Sequence, residues 1–67
     1  MKGYGKKLRD LRGSRSSRLV AKAIGISDSA LRMYENEMRT PRDDTKIALA
    51  DYYQVKVEDI FFTKNVT

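Results

Sequence analysis

The sequence predicts an all-α fold of five short helices, and three observations carry that prediction. Apolar residues recur at helical spacing in five successive segments. Ser, Gly and Pro stand at the breaks between those segments, where caps and stops belong. No segment alternates polar and apolar residues well enough for an internal strand, and only residues 62–67 stay open between coil and a short edge strand.

The first helix is expected from Tyr4 to Arg12. Tyr4, Leu8 and Leu11 fall at i, i+4 and i+7 on one face, and Gly13-Ser14 ends the run. The second spans 17–24, with Ser16 as N-cap, an apolar stripe of Val20, Ala21 and Ile24, and Gly25 able to take the left-handed conformation at its end. The third runs from 28 to about 36. Ser27 is its cap, Asp28 suits the positive helix end, and Ala30, Leu31 and Tyr34 point inward. Thr40-Pro41 breaks the chain. The fourth occupies 43–53, opened by Asp43 and Asp44, with the Lys46 stem, Ile47, Leu49, Ala50 and Tyr53 facing inward. The fifth covers 57–61, burying Val57, Ile60 and Phe61.

The chain has 67 residues, so one compact domain is expected. It has no Cys and no His, hence no disulfide, no zinc site built from those ligands, and no His- or Cys-based nucleophile system. The paired acids Asp43-Asp44 and Glu58-Asp59 are sequence neighbours at helix starts. They do not face each other, and they read as charges that complement the helix dipole rather than as catalytic pairs. No enzyme activity, cofactor or metal is expected. No apolar run approaches the ~18 residues of a membrane span, and the N-terminus lacks the apolar stretch of a signal peptide. The expected location is therefore the cytoplasm, nucleoid-associated in a bacterium or phage.

Net charge is +5, and its distribution says more than its size. Residues 1–42 carry 11 Lys and Arg against 4 Asp and Glu, whereas residues 43–67 carry 3 against 5. A basic front and a mildly acidic back point one face at a polyanion.

Residues 17–36 form the informative unit. Ala21, Gly25 and Leu31 stand at offsets of four and six. Two helices that meet through a tight turn approach closely near the bend, so a small residue and a glycine belong there. Val20, Ile24, Ile26, Leu31 and Tyr34 would fill the angle between them. Asp28, Ser29, Arg32, Met33 and Asn36 would then form one outward stripe.

The segments SRLVAKAIGIS, SALRMYEN, RTP at 39–41, ALADYY at 48–53 and VEDIFF at 57–62 resemble the Cro-type, lambda-repressor-like helix-turn-helix domains, also called the xenobiotic-response-element family. The resemblance runs from about Tyr4 to Phe62. It implies a five-helix domain whose third helix lies in the DNA major groove. It makes Asp28, Ser29 and Met33 base-reading positions with Arg32 beside them, and Asn36 a phosphate contact. It places Ser16 and Ser17 at a helix start that grips the DNA backbone.

This chain departs from the family pattern in several places. Ser17 stands where Gln is usual, so Arg15 and Arg18 are expected to replace that phosphate arm. Glu37 stands where Gly is usual, and a left-handed Glu37 would carry strain of roughly 1 kcal/mol. Leu19 replaces a polar residue. The first inter-helix turn is shortened, which leaves open whether Arg9 or Arg12 pairs with Glu35.

Arg32 suits guanine O6 and N7, or equally a phosphate. Asp28 suits cytosine N4 or adenine N6, or the support of its own helix start, and Met33 suits a thymine methyl. Arg39, Thr40 and Arg42, with Asn36, surround the loop after the reading helix and suit phosphates. Tyr52, Phe61 and Phe62 crowd the end of the chain. Phe61 and Phe62 cannot both point inward on one helix, so a self-association patch is expected there, and the family often dimerises through this end. The expected partners are double-stranded DNA and a second copy of the chain, in a transcriptional repressor reading a palindromic operator. The other reading is an antitoxin-like module that binds a protein partner on the same fold.

Overall fold

A computed structural model describes residues 3–61. Among them are five helices and no strand: α1 (Tyr4–Arg12), α2 (Ser17–Ile24), α3 (Asp28–Glu35), α4 (Asp43–Tyr53) and α5 (Val57–Phe61). The C-terminal residues 62–67, including Phe62, lie outside the described residues.

The local signals act as the chemistry of each terminus requires. Ser16 Oγ accepts from the Leu19 N–H at 3.3 Å, and Ser27 Oγ accepts from the Ala30 N–H at 3.0 Å. Each bond satisfies an orphan donor, and such caps contribute ~1 kcal/mol apiece. Gly25 ends α2 at φ 95°, in the left-handed region. Its N–H and that of Ile26 both return to the Ala21 carbonyl at 2.9 Å, which closes the turn. α3 stops at Glu35, with Asn36 as its cap rather than its last helical residue.

All five helices contribute to one core. Tyr4 and Leu8 come from α1, Val20 and Ala21 from α2, and Leu31 and Tyr34 from α3. Leu49, Ala50 and Tyr53 come from α4, and Ile60 and Phe61 from α5. Ile24, Ile26 and Ala30 pack at its edge. α1 and α2 both pack on α3, α4 packs on α2 and α5, and α5 returns to α1. The Tyr4 and Phe61 rings meet there with centroids 5.6 Å apart.

Three inward or surface assignments change. Ile47 was expected inside but is 52 % exposed. The inward face of α4 follows Lys46, Leu49, Ala50 and Tyr53, and Ile47 lies one residue off that stripe, beside a shallow groove shared with Val57 of α5. Val57 is half-buried rather than buried. Phe61 was expected to be buried in the fifth helix, and at 1 % exposed it is; its other assignment, to the self-association patch, changes. Its ring fills the space between Tyr4 and the Lys46 ammonium, which sits 5.6 Å from the ring centroid.

The start of α1 lacks any capping side chain of its own, because Gly3 occupies the cap position at φ 88°. The capping acceptor comes from a distant part of the chain. Glu37 Oε2 accepts from the Gly3 N–H at 2.8 Å and from the Gly5 N–H at 3.0 Å. Gly5 permits this approach: a Cβ there would lie 2.2 Å from the Glu35 carbonyl oxygen.

Candidate nucleic-acid interface

α3 presents two chemically distinct faces. Leu31, Tyr34 and Glu35 are buried, whereas Ser29, Arg32 and Met33 are exposed and Asp28 is half-buried. This separation follows from the 3.6-residue period, which turns i, i+3 and i+4 from Leu31 inward and the intervening residues out. Met33 is 39 % exposed, an apolar side chain among polar neighbours on the outer stripe.

The inner side is fixed by ionic contacts to α1. Arg12 Nε donates to Glu35 Oε2 at 2.7 Å, and Arg12 Nη2 donates to Oε1 at 3.0 Å. This paired geometry is the strong form of an Arg–carboxylate contact. The hydrogen bond to Glu35 holds the Arg12 guanidinium above its ordinary pKa, against the opposing effect of burial. Arg9 donates from Nη1 to the Glu35 carbonyl. The sequence left Arg9 and Arg12 as alternatives. Both serve, one on the backbone and the other on the carboxylate.

The loop after α3 is held from the same side. Glu37 adopts φ 57°, the left-handed conformation, and turns its carboxylate onto the start of α1. The Tyr4 hydroxyl donates to the Arg39 carbonyl at 3.1 Å. Pro41 is buried, while Asn36, Arg39, Thr40 and Arg42 are exposed. A backbone anchored to α1 thus carries an outward group of two arginines, an amide and a hydroxyl, all able to donate to phosphate oxygens.

On the outer side, Ser17 Oγ donates to Asp28 Oδ1 at 2.6 Å. Asp28 Oδ2 lies 3.3 Å from Arg32 Nη2, one helical turn further on. Ser27 caps the start of α3, and Asp28 stands in its first turn, where it also bridges α2 to Arg32. Ser16 and Arg18 are exposed at the start of α2, and Leu19 is exposed beside them. Arg15 is exposed as well and leans over the C-terminal end of α4. Its guanidinium carbon lies 5.8 Å from the Tyr52 ring centroid and 5.7 Å from that of Tyr53. Phe61 lies away from the surface. Tyr52, 39 % exposed, is the described aromatic of the expected patch that faces out.

The model of the Cro/lambda-repressor-type helix-turn-helix family matches residues 6–60. The chain belongs to that family. The helix-turn-helix match covers α2, the Gly25 turn and α3, together with nearly all of the supporting helices. As a family member, the protein is a DNA-binding regulator. No curated protein and no solved structure gave a match. Among the described residues, no helix is long and apolar enough to cross a membrane.

Sequence reasoning missed four contributors to this face: the Tyr4 hydroxyl bond to Arg39, Gly5, the Glu37 carboxylate, and the Ser17–Asp28 bond. Gly5 did leave a signal. A glycine inside a helical pattern costs ~1 kcal/mol relative to Ala, which points to a packing reason. The others leave none, because their partners lie 11 to 35 positions away along the chain.

Proposed function

We propose that the protein is a sequence-specific transcriptional repressor that binds a palindromic operator as a homodimer, with α3 in the major groove. The observation that carries this reading is the division of α3. Its inner side is bonded to α1, and its outer stripe of Ser29, Arg32 and Met33 is exposed beside the basic loop. In this reading the outer stripe meets base edges, and Ser16, Arg18, Asn36, Arg39, Thr40 and Arg42 hold phosphates on either side. Arg15 flanks the same backbone from its place over the tyrosines.

Dimerisation uses the exposed Tyr52 edge and the shallow groove it lines with Ala23, Ile24 and Ala48. Two copies then set their reading helices about one DNA turn apart, ~34 Å.

Selection from random duplexes, followed by sizing of the complex, tests the proposal. A two-fold symmetric motif bound by two chains is expected. Enrichment of no motif overturns the specific regulator, and one chain per site overturns the dimer. Binding should weaken steeply with salt as counterions are released. Arg39→Ala should weaken all sequences alike, and Arg32→Ala should change base preference.

A further inference from the structure

We infer that Ser17, Asp28 and Arg32 form a positioning relay that gives the protein a guanine preference at one position of each half-site. Arg32 is the base-reading group, Asp28 orients it, and Ser17 orients Asp28. The inference rests on the major-groove reading of α3 above. It reassigns Ser17 and Asp28, which the family pattern would place on a phosphate and on a base.

The donor inventory supports the reassignment. A serine hydroxyl has one O–H, and that of Ser17 is committed to Asp28 Oδ1 at 2.6 Å. A phosphate oxygen only accepts, so Ser17 cannot serve it through the hydroxyl while it holds Asp28. The bond is short because its acceptor is charged and partly shielded from water. It ties the first residue of α2 to the first residue of α3 across the Gly25 turn, so the carboxylate is fixed to two elements. Asp28 in turn offers Oδ2 to Arg32 Nη2 at 3.3 Å, along the outer face.

Arg32 has five N–H donors in a planar fork, and Asp28 lies beside its Nη2 end as an ion partner at 3.3 Å. The donors left for DNA include hydrogens on both Nη atoms. A donor-only fork needs two adjacent acceptors, and guanine O6 and N7 supply that pair in the major groove. Adenine presents a donor beside its acceptor, and cytosine presents a donor. In free protein the Asp28–Arg32 pair is weak, because Arg32 is exposed and screened by solvent. Closing the groove over it removes water, strengthens the attraction and keeps the fork in register.

The carboxylate also acts against the wrong mode of binding. It repels phosphates, so an Arg32 drawn towards the DNA backbone must leave Asp28 unpaired near negative charge. The relay therefore raises discrimination and lowers indiscriminate affinity, two effects that a merely structural role would not combine.

The test measures dissociation constants for the selected duplex, for duplexes with that guanine replaced, and for unrelated DNA, each across a salt series, with an unfolding curve for every variant. The wild type should prefer guanine by ~5- to 150-fold, the range for a bidentate pair. Arg32→Ala should abolish the preference. Asp28→Ala should reduce it several-fold while binding to unrelated DNA strengthens. Ser17→Ala should also reduce it without weakening binding to unrelated DNA, and Ser17→Thr should restore it.

If Ser17→Ala weakens all duplexes equally and leaves the guanine preference intact, Ser17 is a phosphate contact and the relay is wrong. If Asp28→Ala leaves the guanine preference intact and changes preference at a neighbouring base, Asp28 reads that base itself. A wild type that selects no motif overturns the underlying regulator reading, whereas a selected motif that ignores these substitutions overturns only the relay.

Discussion

The two sides of α3 solve opposite problems with the same residue types. On the inner side, Glu35 is 4 % exposed and both its oxygens accept from Arg12, while its carbonyl accepts from Arg9. On the outer side, Asp28 pairs with an Arg32 that remains exposed to solvent. A carboxylate–arginine pair occurs in both places. The inner one is shielded from water and joins two helices, so losing a partner leaves a charge in a poor medium. The outer one lies within a single helix, is screened, and contributes little to stability. The inner pair thus fixes where the helix sits, and the outer one stays open to solvent.

The largest test of this contrast is Arg12→Ala. It leaves the buried Glu35 carboxylate without its partner and should cost about 3 kcal/mol, the low end for a broken buried pair because Arg12 is itself partly exposed. A domain of this size rarely has more than ~3–5 kcal/mol from its core, so urea denaturation should find much of the variant unfolded in buffer.

Gly5→Ala comes next. The added methyl would meet backbone at the Glu35 carbonyl rather than a side chain that can move aside. A loss of about 2 kcal/mol is expected in the same assay.

Glu37 allows a finer comparison. Glu37→Ala keeps the left-handed strain and removes the acceptor that caps α1, for an expected loss of ~1–2 kcal/mol. Glu37→Gly removes the strain along with the acceptor and should be the more stable of the two by ~1 kcal/mol. Equal midpoints for the two variants would remove the argument that Glu37 is held in an unfavourable conformation for the sake of its carboxylate.

Tyr53 gives a pH-dependent prediction. Burial, and secondarily the charge of Glu35, raises its phenol above the ordinary pKa of 10.0. A group whose pKa is raised on folding contributes stability that is complete below its unfolded pKa and is lost as pH rises through the folded one. The wild type should therefore lose stability above about pH 10, and Tyr53→Phe should lose less over that range. Among the described residues, the Tyr53 hydroxyl has no hydrogen-bond partner, so Tyr53→Phe should gain about 1 kcal/mol at neutral pH.

The smallest expected effect is on the outer stripe. Arg32→Ala and Met33→Ala should each move thermal stability by less than ~0.5 kcal/mol. A loss comparable to that of Arg12→Ala would mean that the outer face is part of the scaffold and would break the division of α3.

The helices, their caps and the core of α2 and α3 were legible in the sequence because their signals are local. Ser16, Ser27 and Gly25 act on backbone within a few residues of themselves, and Val20, Ala21, Leu31 and Tyr34 declare their face by spacing. The outward stripe follows from the same period. Ile47 and Phe61 were less readable. An apolar residue at the margin of a stripe can fall either way, and which of two adjacent aromatics turns inward depends on what α1 and α4 present to it.

By itself, then, the chain determined its helices, its turn and the residues exposed on the outer stripe of α3, since periodicity and capping operate over one or two helical turns. Tertiary structure alone decided that Glu37 caps a helix 34 positions away, that Gly5 must be bare, and that Ser17 answers to Asp28. Those contacts depend on distances between elements, and such distances exist only once the elements have packed.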